Sequence, residues 1–176
     1  MIRGQHWLKA AGVAALAAAL PLIMFGCGPQ AKNDDWPKGK PKVAVSFAPL
    51  YCFAVNVAGD DATVKNVMTS TGPHDFNPTA ADARLIMRAE LFFVVGLGLD
   101  EAAATRMRET SGNANLKLVE LGEKIPKDKL CEGRCEHAHH GPDHKHDLDP
   151  HVWLSPDHAI LLVNGIRDEL KAADPA

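Results

Sequence analysis

Leu91-Phe-Phe-Val-Val95, followed at once by Gly96-Leu-Gly-Leu-Asp100, is the stretch that decides the fold class. Residues 91–95 contain no polar side chain, which is typical of a strand covered on both faces in a parallel sheet. The glycines after this run predict a turn, and residues 101–109 read as a helix. A buried strand that passes through a short turn into a helix is the repeating unit of an α/β protein.

Strands and helices alternate on both sides of this unit. The apolar pattern predicts strands over residues 43–47, 62–68 and 116–121, and a helix over residues 49–58. Thr79 with Asp82 three residues later forms a capping-box pattern, which predicts a helix from there to residue 89. Because strand–helix–strand connections are right-handed, this order predicts a parallel sheet of about four strands with helices on both faces.

A further helix is predicted from Pro156. Ser155 offers an N-capping hydroxyl, Pro156 suits the first helical position and Asp157 complements the helix dipole. The apolar stripe continues to the end of the chain, through Ala159, Leu162, Val163, Ile166 and Leu170. Between this helix and the last strand, residues 122–151 form a connection far longer than usual, so we expect it to be functional or disordered.

This connection is rich in potential metal ligands. Its imidazoles and carboxylates are donors that zinc prefers, so the composition predicts a metal-capturing loop; the alternative is a polar insertion without a metal. Cys131 and Cys135 are either zinc ligands or a disulfide. The candidate auxiliary ligands of the loop are His137, His139, His140, His144, His146, Asp143 and Asp147.

Two other histidines are better candidates for a rigid site. His74 follows the second predicted strand, and His151 stands between Pro150 and the Val-Trp pair that precedes the last helix. In an open parallel sheet, ligands bind beyond the carboxyl ends of the strands, so we expect the two rings to converge there. Asp75 is the expected orienting carboxylate for His74. His158 is interpreted as a polar residue of the helix surface, and Cys52 as a buried apolar residue.

The start of the chain has the layout of an export signal. Residues 1–26 combine Arg3 and Lys9 with a short apolar run, and Met-Phe-Gly-Cys27 is similar to a lipoprotein processing site with Cys27 as the lipidated residue. The alternatives are a non-lipidated signal or an uncleaved anchor. Residues 27–42, with several prolines and charges and a lone Trp36, are predicted to be a flexible tether. We therefore expect an exported protein held at a membrane.

Charge and length narrow the function classes. The formal charge is −3, and removal of residues 1–26 takes away two cations and no acid, so the exported part is more acidic still. This balance argues against a nucleic-acid partner. Residues 43–175 are long enough for one folded domain with its own core.

The motifs together resemble the zinc/manganese solute-binding proteins of bacterial metal ABC transporters, the cluster A-I family. The resemblance rests on Gly72-Pro-His-Asp-Phe-Asn-Pro78, on residues 89–100, on the His-rich loop, and on Asp147-Leu-Asp-Pro-His-Val-Trp-Leu-Ser-Pro156. It implies that His74 and His151 are metal ligands, that the cargo is Zn²⁺, with Mn²⁺ as the alternative, and that an ABC importer permease is the partner. It also implies a non-enzymatic protein. Members have two lobes joined by a long helix, and this sequence corresponds to the first lobe and part of that helix.

Three other functions compete with this interpretation. Gly96-Leu-Gly-Leu-Asp-Glu101 imitates a dinucleotide-binding turn, although Glu101 stands where that fingerprint needs glycine. An exported metallohydrolase could use His74 and His151 with Asp75 or Asp149 as the base. A stand-alone periplasmic zinc buffer would need only the His-rich loop.

Overall fold

The computed structural model describes residues 36–133 and 148–174, and in this part of the chain four parallel strands form one sheet in the order β2-β1-β3-β4. Val43 of β1 lies beside Val64 on one side and Leu91 on the other, and Leu91 lies beside Lys117. The expected parallel sheet is therefore confirmed. The strands are β1 (Lys42–Val45), β2 (Thr63–Asn66), β3 (Leu91–Val94) and β4 (Lys117–Glu120).

The centre of the sheet forms the core. Every residue of β3 is buried, and Val43, Ala44 and Val45 of β1 have no exposed surface. The edge strand β2 is only half-buried along its length. Burial on both faces explains why β3 has no polar residue, whereas β2 alternates imperfectly.

Helices cover both faces of the sheet. The helix α1 (Ala48–Ala58) packs against α4 (Pro156–Ala173), and α2 (Ala80–Ile86) packs against α3 (Glu101–Ser111). The connection from β1 to β2 runs in one direction along the sheet, while those from β2 to β3 and β3 to β4 run in the other. Right-handed crossovers therefore place α1 on one face and α2 with α3 on the opposite face.

The predicted capping hydrogen bonds are present at the start of α2 and absent at the start of α4. Thr79 and Asp82 form the predicted capping box, since each side chain accepts a hydrogen bond from the other residue's backbone N–H. Ser155 is the N-cap of α4, but its hydroxyl makes no capping hydrogen bond. Pro156, whose fixed φ favours the first helical position, begins the helix without that bond.

The expectation of a flexible tether through residue 42 is wrong at Trp36, which is buried, and at Lys42, where β1 begins. Trp36 is 4% exposed and its Nε1–H donates to the Leu85 carbonyl at 3.0 Å. The Lys65 ammonium lies 4.6 Å from the centre of the indole ring, within the range of a cation–π contact. An indole buries a large apolar area and satisfies its one donor here, which offsets the cost of ordering the chain before β1.

The rest of the amino-terminal prediction concerns residues outside the described part. The export signal at residues 1–26, the lipidation of Cys27 and the first part of the tether all fall within residues 1–35. Among the described residues, no helix combines the length and the apolar character that crossing a membrane requires.

The prediction that Cys52 is buried is wrong. Its side chain is exposed on the outer face of α1. The residues of α1 that face the sheet are Leu50, Ala54 and Ala58, at a spacing of four. Cys52 lies between the first two of these and therefore points away from the core.

Candidate metal centre

His74 lies in the connection between β2 and α2. Gly72 and Pro73 lead into a single 3₁₀ turn, Pro73–Asp75, in which the side chain of His74 is exposed. The chain leaves β2 at its carboxyl end, so this turn stands at the edge of the sheet where loops after parallel strands gather.

His151 reaches the same edge from the other end of the chain. It precedes a 3₁₀ turn, Val152–Leu154, whose first residue is 5% exposed and fixes the turn to the core. Trp153 packs edge-to-face on Phe47, which follows β1, with ring centroids 4.8 Å apart. The centroid of His151 is 5.2 Å from that of Trp153, so the imidazole is linked through Trp153 to Phe47 at the carboxyl end of β1.

The two imidazoles meet across 77 positions of sequence. Nε2 of His74 and Nε2 of His151 are 3.2 Å apart, and the ring planes are inclined by 36°. Two nitrogens bound to one tetrahedral zinc at about 2.05 Å each would be separated by about 3.3 Å. The spacing is therefore compatible with two ligands of one ion, and it also allows a hydrogen bond between the rings when one of the two nitrogens carries a proton.

A carboxylate holds the far side of the His151 ring. Oδ1 of Asp149 accepts from Nδ1 of His151 at 2.7 Å and from the His151 backbone N–H at 3.0 Å. These hydrogen bonds, the backbone one first, hold the pKa of the Asp149 carboxyl below its usual value. The sequence predicts instead an orienting role for Asp75 at His74. Among the described contacts, Asp75 makes no hydrogen bond to either ring.

Asp149 is in turn attached to the beginning of the long connection. Its backbone N–H donates to the Cys131 carbonyl at 2.9 Å, and Glu132 and Leu148 form an isolated antiparallel bridge. The described ends of the connection thus lie side by side. All seven auxiliary candidates lie outside the described residues, since they fall within residues 134–147, and so does Cys135. Cys131 itself is an exposed thiol.

A second group of polar residues stands at the carboxyl ends of β1 and β3, where Asp100 is fully buried. Its carboxylate accepts from the Ser46 hydroxyl at 2.6 Å and from the backbone N–H groups of Val95 and Gly96 at 3.1 and 2.8 Å. Burial raises the pKa of Asp100, against the opposing effect of these hydrogen bonds.

This arrangement fills the glycine turn that imitates a nucleotide-binding loop. The N–H groups of Val95 and Gly96 are directed at Asp100, so they are not available to a phosphate. A Cβ added to Gly96 would lie 2.8 Å from Oε2 of Glu120, which shows that a carboxylate occupies the space beside the turn. Burial, followed by the nearby charge of Glu123, raises the pKa of Glu120. Closely placed carboxylates repel a pyrophosphate, which argues against the nucleotide-binding alternative.

The described residues bring two candidate ligands, His74 and His151, together at this site. Within residues 36–133 and 148–174, no group of three or more His, Cys, Asp or Glu side chains is arranged to hold a metal ion. His158, on the first turn of α4, is half-buried, and none of the described hydrogen bonds links it to the pair. The apolar side chains of Leu154 and Ile160, 72% and 59% exposed, lie on the turn and helix that follow His151.

Residues 43–176 match the family model described as "ZnuA: Zinc-uptake complex component A periplasmic". The chain belongs to the ZnuA family. The resemblance to zinc/manganese solute-binding proteins is thereby confirmed.

Curated relatives of this ZnuA-family chain include binders of two different metals. It is 34% identical over 164 residues to the zinc-binding lipoprotein AdcA of Streptococcus pneumoniae, covering 91% of the chain and 31% of that protein. It is 29% identical over 157 residues to the manganese-binding lipoprotein MntA of Halalkalibacterium halodurans, and the match covers 89% of this chain and 47% of that protein. The chain thus spans less than half the length of either relative.

Solved structures of similar proteins share the fold. Zn(II)-bound AdcA of Streptococcus pneumoniae superposes with a TM-score of 0.61 at 31% identity, over 78% of this chain and 27% of that one. The match to the solute-binding protein FpvC of Pseudomonas aeruginosa in complex with Mn²⁺ has a TM-score of 0.68 and 27% identity. It covers 78% of this chain and 48% of that one. The α/β architecture is therefore that of ZnuA-like solute-binding proteins.

Proposed function

We propose that this ZnuA-family chain captures a divalent metal ion, zinc in preference to manganese, at His74 and His151, for delivery to the permease of an ABC importer. The observation that carries the proposal is the separation of 3.2 Å between the two Nε2 atoms. Both rings are already close enough to bind one ion, so capture needs little rearrangement of either turn. A preorganised pair loses less conformational entropy on binding than two mobile side chains would.

The pair leaves room for further donors. Zinc sites in proteins usually have three or four ligands, and two come from the described residues. Both histidines are exposed, so water, an imidazole of the His-rich loop or a donor from another part of a longer protein can complete the shell.

Zinc is favoured over manganese by the chemistry of the donors. Imidazole nitrogen suits zinc, whereas manganese prefers oxygen ligands, and zinc also stands above manganese in the general order of affinity. Relatives named for zinc and for manganese both occur, so the family alone does not decide the cargo.

Capture for transport fits the site better than hydrolysis. A metallohydrolase needs a carboxylate that is free to activate a metal-bound water. Of the two candidate bases, Asp149 is engaged with the far nitrogen of His151, and the relatives named for metal binding favour capture over a hydrolase that would use Asp75. The relatives named lipoproteins support a protein held outside the cytoplasmic membrane, for which Cys27 is the proposed lipidated residue.

Metal titration of single variants tests the proposed site. The tightest Zn²⁺ affinity of the wild type, His74→Ala, His151→Ala and the control His158→Ala would be measured by competition with a chelating dye. Removing a residue that is hydrogen-bonded to a metal ligand typically lowers metal affinity ~10–100-fold. Since His74→Ala and His151→Ala each remove a ligand itself, we expect them to lower the Zn²⁺ affinity by more than this. His158→Ala should leave the affinity unchanged. A parallel titration with Mn²⁺ should give the weaker affinity.

A loop variant separates this function from the zinc buffer. Replacing residues 134–147 with a short Gly-Ser linker should lower the number of zinc ions bound and should reduce the tightest affinity less than His74→Ala or His151→Ala does. Loss of the tightest affinity in the loop variant, together with wild-type affinity in His74→Ala and His151→Ala, would show that the loop alone binds the metal.

A further inference from the structure

Asp149 joins two parts of the molecule that are distant in sequence. Its side chain contacts the ring and the backbone of His151, and its backbone N–H is held by the carbonyl of Cys131. The bridge between Glu132 and Leu148 lies directly beside this contact. The backbone of Asp149 is therefore held by the chain at the start of the long connection, while its carboxylate is held by His151.

We propose that Asp149 is a positioning residue that fixes His151 as the Nδ1-protonated tautomer, with the lone pair of Nε2 directed at His74. This inference rests on the proposed function, because it assigns Asp149 a role at the same metal site. An ionised carboxylate only accepts hydrogen bonds, so the 2.7 Å contact requires the proton to be on Nδ1. In the neutral ring, Nε2 is then the free acceptor and metal ligand.

The hydrogen bond from the His151 backbone N–H to Asp149 fixes the carboxylate relative to the main chain of His151. The same Oδ1 atom accepts from the His151 backbone N–H at 3.0 Å, so the carboxylate is anchored to the main chain of the residue whose ring it orients. The ring can then rotate about its side-chain bonds only by breaking the contact to Nδ1. A carboxylate behind a metal-binding imidazole also makes the metal-facing nitrogen more basic, which strengthens the bond to the metal.

Tautomer measurement on the metal-free protein tests this role directly. The ¹⁵N chemical shifts of the His151 ring would be recorded at a pH above 8, where free imidazole is neutral. We expect the wild type to show a protonated Nδ1, and Asp149→Ala to show the Nε2-protonated form. Asp149→Asn should keep the protonated Nδ1, because an amide oxygen can accept the same two hydrogen bonds.

Zinc affinity is the second readout. Asp149→Ala should lose about 10–100-fold in the tightest affinity, and Asp149→Asn should recover part of that loss. Asp75→Ala is the matched control, since it removes an equal charge beside the other histidine without removing a described hydrogen bond to a ring. It should leave the His151 tautomer unchanged and cost less affinity than Asp149→Ala.

The outcomes distinguish this inference from the proposed function. A protonated Nδ1 that persists in Asp149→Ala, or an equal loss of affinity in Asp75→Ala, would overturn the positioning role. Failure of the wild type to bind zinc at His74 and His151 would instead overturn the proposed function, since the tautomer of the metal-free protein is measured independently. Asp149 is 47% exposed, so Asp149→Ala should fold, which the urea midpoint would verify.

Discussion

At the scale of single residues, each end of the sheet is held by an aromatic side chain that bridges two segments. Trp153 joins the turn after His151 to Phe47 at the carboxyl end of β1. Trp36 joins the segment before β1 to α2 through the carbonyl of Leu85. Aromatic residues combine a large apolar surface with a defined orientation, so a single one can fix a segment that has no regular structure of its own.

Replacement of Trp36 should destabilise the fold although it lies in a segment without helix or strand. Trp36→Ala removes a side chain that is 4% exposed, and we expect a loss of about 3–5 kcal/mol in the free energy of unfolding. Trp36→Phe keeps most of the apolar contact but leaves the Leu85 carbonyl without the indole donor, which should cost about 1 kcal/mol. Urea denaturation of the two variants measures both values. Wild-type stability in Trp36→Ala would contradict the packing described above.

At the scale of elements, the turns after β3 and β4 are packed against each other. The Gly122 N–H donates to the Val95 carbonyl at 2.8 Å, and Asp100 closes the neighbouring turn by accepting from Val95 and Gly96. Leu97 adopts a left-handed conformation with φ of 58° in this turn. A residue with a Cβ is disfavoured there, so contacts from both sides hold the backbone in place.

A pair of glycine variants tests this contact. In Gly122→Ala, the new Cβ would lie 2.6 Å from the Val95 carbonyl oxygen and 2.7 Å from Cγ of Leu97, so the two turns must separate. We expect a loss of about 1–3 kcal/mol in the free energy of unfolding. In Gly72→Ala, the Cβ would meet no atom within 4 Å, and the loss of freedom in the unfolded chain should leave stability unchanged or up to about 1 kcal/mol higher. Equal effects of the two substitutions would count against the close approach of the turns.

At the scale of the whole molecule, α4 is attached to the edge of the sheet by charge as well as by apolar contact. Glu169 of α4 pairs with Lys117 at the start of β4 and with Lys124 in the turn after it. The hydrogen bond from Lys117, with the nearby charges of both lysines, lowers the pKa of Glu169 from its usual value of 4.5. Leu162 and Ile166 of the same helix are fully buried.

The lowered pKa gives this attachment a pH dependence of known sign. Because the folded protein holds the Glu169 proton less tightly than the unfolded chain does, its stabilising effect is complete above pH 4.5 and is lost as pH falls through the lower folded pKa. We expect Glu169→Gln to cost about 0.5–1 kcal/mol at neutral pH, since the two lysines are half-exposed, and nothing in strong acid. Urea denaturation at a series of pH values measures the difference. A difference that grows on acidification would contradict the sign.

The buried carboxyl of Asp100 acts in the opposite direction. Its pKa is raised in the folded protein, so the folded state binds this proton more tightly than the unfolded chain, and its contribution declines as pH rises above the usual value of 3.8. The stability of the wild type in acid therefore reflects both groups. The difference in unfolding free energy between the wild type and Glu169→Gln at each pH isolates the contribution of Glu169, which attaches α4.

Much of the fold and the location of the candidate site could be predicted from patterns that are local in the chain. The apolar run at residues 91–95 specified a strand buried on both faces, and Thr79 with Asp82 specified a helix start. His74 follows β2, and His151 ends the long connection that starts after β4. Because the carboxyl ends of parallel strands share one edge of the sheet, the sequence predicted that the two histidines lie close together.

Other features have no local pattern to reveal them. A lone Trp36 in a segment of prolines and charged residues reads as a solvated side chain, and its hydrogen bond is made to a carbonyl 49 positions away. A carboxylate contact was expected between Asp75 and the His74 ring, whereas the described contact joins Asp149 to the His151 ring, because it depends on where each turn directs its side chain. The Asp-Pro-His spacing offered a signal, since an Asp oxygen often accepts from the backbone N–H two residues later.

The sequence by itself determined the α/β class, the order of strands and helices, and the two candidate histidines, since these depend on the period of apolar residues and on turn chemistry. Only the tertiary structure decided that the two Nε2 atoms stand 3.2 Å apart, and that Asp149 rather than Asp75 lies behind one of them. Those distances are set by the packing of Trp153 on Phe47 and by the contact of Asp149 with Cys131. Contacts between segments so far apart in the chain depend on the complete fold, which no local pattern of residues encodes.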